Sequence, residues 1–244
     1  RAGVPLHIPQ GVEGTCCGVP FSSKGYADAH KFTVNHAIER FWRWSGEGRL
    51  PVVVTGLTGV TAVAGGSTHS VAATADGSVW SWGSGSGNPG DSALPTRVTG
   101  LADVVAVAAG YDDGGFNLAL KRDGTVWAWG SNNHGQLGDG TTASRTAPAR
   151  LPLLKDIVAI SVGSGFAAAL DKDGSVWAWG RNDLAQMGDN TKVDRLVPSR
   201  IPGLAGVSAI ASDSATMVAI RGDGSLWMWG AVDVAPGGSW VVQS

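Results

Sequence analysis

One octet recurs four times in this chain, and it limits the fold more than any other feature. It reads Asp76-Gly77-Ser78-Val79-Trp80-Ser81-Trp82-Gly83, then Asp123-Gly124-Thr125-Val126-Trp127-Ala128-Trp129-Gly130, and returns from Asp173 to Gly180 and from Asp223 to Gly230. The first tryptophans of successive copies are 47, 50 and 50 residues apart. Asp-Gly between two apolar runs signals a tight hairpin, because glycine accepts the positive φ of the turn. Gly77, Gly124, Gly174 and Gly224 are therefore expected at turns. In the alternation Val-Trp-x-Trp-Gly, both tryptophans of a copy fall on one face of a strand. Trp80, Trp82, Trp127, Trp129, Trp177, Trp179, Trp227 and Trp229 are accordingly expected as packing residues. They account for eight of the eleven tryptophans.

Two further elements accompany each octet. A stretch of β-branched and small residues precedes it, at Val60–Gly66, Val104–Gly110, Ile157–Gly163 and Val207–Ser212. Near-continuous small apolar residues suit a strand buried on both faces where space is narrow. Before that comes Pro-x-x-aliphatic, at Pro51–Val54, Pro95–Val98, Pro148–Leu151 and Pro198–Ile201. Each copy thus holds four short strands: the proline piece, the small-residue strand, the strand before Asp-Gly, and the tryptophan strand. Four-stranded units at a fixed period point to an all-β fold, a β-propeller, with small side chains near the axis and tryptophans between blades.

The connection after the tryptophan strand is fullest in the second copy, at Gly130-Ser131-Asn132-Asn133-His134-Gly135-Gln136-Leu137-Gly138-Asp139, and looser at Gly180-Arg181-Asn182-Asp183-Leu184-Ala185-Gln186-Met187-Gly188-Asp189. It resembles the Gly-x-Asn-x-x-Gly-Gln-Leu-Gly signature of the regulator of chromosome condensation repeat. The family's Gly-x-x-His-Ser-x-Ala element is matched once, at Gly66–Ala72. The resemblance covers residues 51–244. It implies a propeller that usually closes as a ring of seven blades, so four repeats are expected to form a partial or truncated ring, as in a fragment. Open ends of such an arc would expose apolar blade faces and favour self-association.

Residues 1–50 hold no copy of the repeat and are read as a separate N-terminal segment. Phe32, Val34, Ala37, Ile38, Phe41 and Trp42 recur near helical spacing, so a helix is expected from Ala27 to Trp44. Gly14-Thr15-Cys16-Cys17-Gly18 resembles the Cys-Cys-Gly element of the iron–sulfur domain of flavin-linked D-lactate dehydrogenases, over residues 1–54. That resemblance implies Cys16 and Cys17 as metal or redox residues of an iron–sulfur cluster. Two adjacent cysteines form an incomplete ligand set. The expectation is therefore no cofactor, with the cluster as the alternative.

Lysine plus arginine total 18 against 20 aspartate plus glutamate, so the charge gives no footprint for nucleic acid or an anionic membrane. No apolar run reaches the length of a membrane span. His69 is expected as a hydrogen-bonded blade residue and His134 as a loop residue. The carboxylates at Asp112-Asp113 and Asp171–Asp173 lie near turns, with nothing to enforce convergence on calcium. Gly83–Gly87 lacks the Lys-Ser/Thr ending of a phosphate loop. No nucleophile–base pair is apparent. The expected function is a noncatalytic scaffold that binds an unknown protein partner through loops 84–94, 131–147 and 181–197. Gln136 and Asn132 are expected to stabilise their loop. Two alternatives stand beside it. Some members of the resembled family promote nucleotide exchange on a small GTPase, and Cys16 and Cys17 suggest a fragment of an iron–sulfur or flavin oxidoreductase.

Overall fold

Each Asp-Gly hairpin joins two strands, and a third lies beside them on the small-residue side. In a computed structural model of the chain, the described residues are 57–85, 92–111 and 114–231. The expected helix Ala27–Trp44, Cys16 and Cys17, the Pro51–Val54 strand and the Asp112-Asp113 pair lie outside them. All regular structure among the described residues is β.

The first sheet contains β1 (Val60–Gly65), β2 (His69–Thr74), β3 (Val79–Gly83) and β4 (Ser92–Val98). The second contains β5 (Val104–Ala109), β6 (Phe116–Lys121), β7 (Val126–Gly130) and β8 (Arg145–Arg150). The third contains β9 (Ile157–Val162), β10 (Phe166–Asp171), β11 (Val176–Gly180) and β12 (Arg195–Arg200). The fourth contains β13 (Val207–Ser212), β14 (Thr216–Arg221) and β15 (Leu226–Gly230). Every sheet is an antiparallel meander in chain order. The sheets follow one another as blades of a β-propeller, with the small-residue strands as neighbours: β5 packs on β1 and β9, and β9 on β13.

The proline strand differs from its expected place. β4 pairs with β3, β8 with β7 and β12 with β11. Each proline strand therefore closes the blade of the preceding octet rather than opening the blade of the next. The repeat in the sequence and the blade in space are out of phase by one strand. An edge strand tolerates proline because one side of its ladder is free.

The blades interlock through their alternating faces. Val126 and Ala128 of β7 pack with Trp177 and Trp179 of β11, together with Leu118, Leu137 and Leu154. Val176 and Ala178 of β11 meet Trp227 and Trp229 of β15 in the same way. Val79 of β3 shares a cluster with Trp127 and Trp129 of β7. The tryptophan face of one blade thus always meets the small aliphatic face of the blade before it.

The hairpin glycines are part of this interlock. Gly77, Gly124, Gly174 and Gly224 have φ of 77°, 76°, 78° and 86°. The carbonyls of the first three accept hydrogen bonds from Val104, Ile157 and Val207, which open the inner strand of the next blade. A methyl group on Gly174 would lie 2.9 Å from the Val207 nitrogen, whereas one on Gly224 would meet nothing within 4 Å. Both substitutions force an L side chain into the left-handed region, at about 1 kcal/mol. Gly174→Ala must in addition push two blades apart. Urea unfolding should therefore show Gly174→Ala to be clearly more destabilising than Gly224→Ala; equal losses would contradict the interlock.

Candidate partner-binding face

The meander places the Asp-Gly turns at one end of every blade and the connections after the tryptophan strands at the other. The second end carries the signature loops. After β7, Asn132 is fully buried and acts as a hub. Its Oδ1 accepts the Leu137 N–H at 2.8 Å, and its Nδ2 donates to the carbonyls of Thr141 at 3.0 Å and Ala143 at 3.1 Å. Gln136, also fully buried, accepts the His134 N–H at 2.8 Å through Oε1. The loop after β11 repeats this. Asn182 accepts from Met187 at 2.9 Å and donates to the carbonyls of Thr191 and Val193, both at 3.1 Å, while Gln186 accepts from Leu184 at 2.9 Å.

A carboxylate–arginine clamp closes each loop. Asp139 accepts from the Thr141 N–H and hydroxyl and pairs with Arg145. Asp189 accepts from Thr191 likewise, and from Arg195 Nε at 3.0 Å and Nη2 at 2.6 Å. Sequence reasoning did not single out this clamp. Its signal is an Asp and an Arg six residues apart in the second and third copies. Burial raises the pKa of Asp189, but bonds from Thr191, Arg195 and Asn182 outweigh it and hold the carboxyl at about 2. A folded pKa below the unfolded 3.8 stabilises the fold above that value, and the contribution is lost as pH falls toward 2. The gap between wild type and Asp189→Asn should thus be about 2 kcal/mol at neutral pH and shrink below pH 4. Denaturant curves across that range test this; a gap unchanged down to pH 2.5 would contradict it.

The loops are tied to the neighbouring blade. The second tryptophan reaches back across the interface: Trp179 Nε1 donates to the Gln136 carbonyl at 2.8 Å, and Trp229 Nε1 to the Gln186 carbonyl at 2.9 Å. Gly140 N–H donates to the Leu196 carbonyl at 2.9 Å, and His134 Nδ1 lies 3.0 Å from Asp194 Oδ2. Loops 131–147 and 181–197 differ in sequence between copies. Their frameworks are the same, and the variation sits in side chains such as Asn133 against Asp183, His134 against Leu184, and Ala143 against Val193.

In the second and third copies the two tryptophans have different environments. Trp129 and Trp179 are completely buried, whereas Trp80, Trp127, Trp177 and Trp227 are half-buried. Cations lie over three of the half-buried rings: Lys121 is 5.8 Å from the Trp127 centroid, Arg200 5.4 Å from Trp177 and Arg221 4.1 Å from Trp227. His69 is buried, with Nε2 2.9 Å from Asn117 Oδ1 across the first blade junction. Asp171 accepts from Ser175 N–H and Trp177 Nε1 within its own hairpin. Among the described residues, no group of three or more His, Cys, Asp or Glu is placed to hold a metal ion.

Fold and loops together define a tandem-repeat β-propeller whose repeat signature is a loop framework. Two family models of the regulator of chromosome condensation (RCC1) repeat match the chain, one at residues 123–170 and 173–219, the other at 60–87, 104–136 and 157–186. They cover more than half of it, and the chain belongs to this repeat family. The fold is shared with yeast RCC1 (Prp20) bound to Kap60, at 24% identity and a TM-score of 0.66 over 75% of this chain and 47% of that one. Prp20p from Saccharomyces cerevisiae, a protein described with binding properties to Gsp1p and histones, gives 24% identity and a TM-score of 0.65 over 75% of this chain and 48% of that one. Human WBSCR16 gives 29% identity and a TM-score of 0.60, over 70% of this chain and 47% of that one. The chain spans about half the length of these proteins. No curated protein matches it. The matches lend no support to the iron–sulfur dehydrogenase resemblance of residues 1–54.

Proposed function

We propose that the chain is a noncatalytic scaffold that binds a protein partner through the face carrying the signature loops. One observation carries this reading. Buried Asn132, Gln136, Asn182 and Gln186 fix two adjacent loops, so that different side chains are presented from the same rigid frame. Exposed on that frame are Asn133, Thr142, Asp183, Leu184, Lys192 and Val193. Rigid blades displaying variable loop side chains are the arrangement by which propellers recognise partners. The yeast neighbour solved with Kap60 is a protein-binding example of the fold.

The test uses two surface variants. One replaces Asp183, Leu184 and Val193 on the loop face; the other replaces Leu153, Lys155 and Lys172 at the hairpin end. Quantitative capture from cell extract should enrich the same partner with wild type and the hairpin-end variant, and lose it with the loop-face variant. The opposite pattern would overturn the assignment of the face. The exchange-factor alternative predicts that the chain accelerates nucleotide release from some member of a panel of small GTPases. The scaffold reading predicts intrinsic rates throughout.

A further inference from the structure

Two of the differences between the signature loops meet in space. His134 stands where the next loop has Leu184, and Asp194 where the preceding loop has Ser144. Ser144 Oγ accepts the Asn132 N–H at 3.1 Å, and Asp194 Oδ1 accepts the Asn182 N–H at 2.8 Å. The hydroxyl uses its one oxygen within its own loop. The carboxylate has a second, Oδ2, which lies 3.0 Å from Nδ1 of His134 on the neighbouring blade. One side chain thus closes its own loop and reaches the loop before it.

The imidazole is seated in a notch. A methyl group on Gly165, in the turn between β9 and β10, would lie 3.3 Å from His134 Cδ2 and 3.4 Å from Arg181 Cβ. The charged groups facing the ring come from loop 181–197. Asp194 faces Nδ1, and Arg181, across Gly165 from the ring, is paired with Asp183 at 2.6 Å. The Asp183 carboxyl is held below the ordinary carboxylate range, first by the hydrogen bond from Arg181 and last among the causes by attraction to His134. Asp189 and Arg195 of that loop are closed on each other, as are Asp139 and Arg145 of the loop that carries His134. Lys192 is exposed beyond Asp194. The turn at Ser164 and Gly165 adds no charge. Two carboxylates against one guanidinium leave one net negative charge around the ring.

We propose that His134 and Asp194 form a pH-sensitive latch between the two signature loops, closed while the imidazole carries its second proton. Imidazole side chains gain and lose that proton between about pH 5 and 8, where carboxylates stay ionised. An imidazolium donates Nδ1–H to Asp194 in a charge-assisted bond, about twice as strong as a neutral one. The neutral ring has one tautomer that still donates and one that turns a lone pair toward the carboxylate. The latch therefore holds toward pH 5 and loosens as pH rises through the imidazole range. With 39% and 35% of the two side chains exposed, solvent protons reach the pair and its strength is a few-fold factor. The bonds from Trp179 to Gln136 and from Gly140 to Leu196 involve no titrating group, so the loop frame persists on both sides of the transition. What changes is the surface: His134 and Asp194 hold each other at acid pH and are released to solvent or a partner at neutral pH. That consequence rests on the partner-binding reading of this face, whereas the latch is a property of the protein alone.

A double-mutant cycle on the full chain, at pH 5.5 and pH 8 and without a partner, tests the latch. Each substitution installs the residue that the sister loop already holds. His134→Leu follows Leu184, and Asp194→Ser follows Ser144, which keeps an acceptor for the Asn182 N–H. Circular dichroism checks that the single and double variants keep the wild-type β signal. Urea unfolding should give a coupling of about three- to fivefold in the unfolding equilibrium at pH 5.5, falling below about twofold at pH 8. Amide exchange supplies a local readout. The Asn182 N–H should be protected about threefold more in wild type than in His134→Leu at pH 5.5 and equally at pH 8, while the Asn132 N–H, held by Ser144, changes at neither. Coupling of the same size at both pH values would make the contact an ordinary hydrogen bond and overturn the latch. So would coupling at neither, or coupling that grows toward pH 8. Partner capture by the surface variants is a separate result, so failure of the latch and failure of the partner-binding face are told apart.

Discussion

Trp179→Ala is expected to destabilise the protein by about 4 kcal/mol, and Trp177→Ala by about half of that or less. The two residues occupy the same strand and the same face. Trp179 is completely buried, packs among Leu118, Leu137 and Leu154, and donates its indole N–H to the Gln136 carbonyl of the preceding blade. Removing it opens a large cavity at a blade interface and leaves that carbonyl without its donor. Trp177 is half-buried, bonds to Asp171 of its own hairpin, and lies under Arg200. Its loss also removes contact with the Val126 and Ala128 face, but a half-buried ring leaves a site that solvent partly fills. Trp179→Phe separates the terms: it keeps most of the volume and loses the hydrogen bond, at about 1 kcal/mol beyond the difference in area. Urea unfolding followed by circular dichroism gives all three values. A Trp177→Ala loss equal to that of Trp179→Ala would contradict the inequivalence of the pair.

Asn182→Ala is expected to cost about 3 kcal/mol, a large loss for one loop residue. The side chain satisfies the Met187 N–H and the Thr191 and Val193 carbonyls at once, and it is fully buried. Alanine leaves those groups without their partner where water enters poorly. Asn182→Asp tests the donor half of the network. It keeps an acceptor for Met187 but turns a carboxylate toward two carbonyls and Asp189, so it should be no better tolerated than alanine at neutral pH. Asn132→Ala should behave alike, because Asn132 occupies the equivalent hub. A cost below 1 kcal/mol in both loops would mean that the network is not what holds them.

Local features of the fold were legible in the sequence. Asp-Gly turns and the alternation around the tryptophans depend on neighbours within a few positions, and each lies where that chemistry puts it. The small-residue strands form as expected but are only partly buried, with Val105 and Val158 exposed, and the strands buried on both faces are β6 and β10. Pairing across the sheet was less legible. The proline strand lies a few residues before one small-residue strand and many residues after the tryptophan strand it joins, so proximity in sequence assigns it to the wrong blade. The environment of each tryptophan was hidden for a similar reason. Trp82 and Trp129 hold the same place in nearly identical octets, yet Trp82 is half-buried and Trp129 completely buried, because among the described residues only Trp129 has a blade in front of it. In the candidate site, the loop role of Asn132 and Gln136 followed from the signature. The Asp139–Arg145 and Asp189–Arg195 clamps and the bond from Trp179 to Gln136 did not, because they join residues whose partners only the folded loops bring together.

The central claim is that the signature loops are framework as firm as the strands, so that the face they form is pre-organised. Residue-resolved amide hydrogen exchange tests it most directly. The Leu137 and Met187 amides, bonded to Asn132 and Asn182, and the Trp179 indole N–H are predicted to exchange as slowly as the amides of β7 and β11. Exchange of these three protons at the rate of open loops, while the strand amides stay protected, would contradict the account.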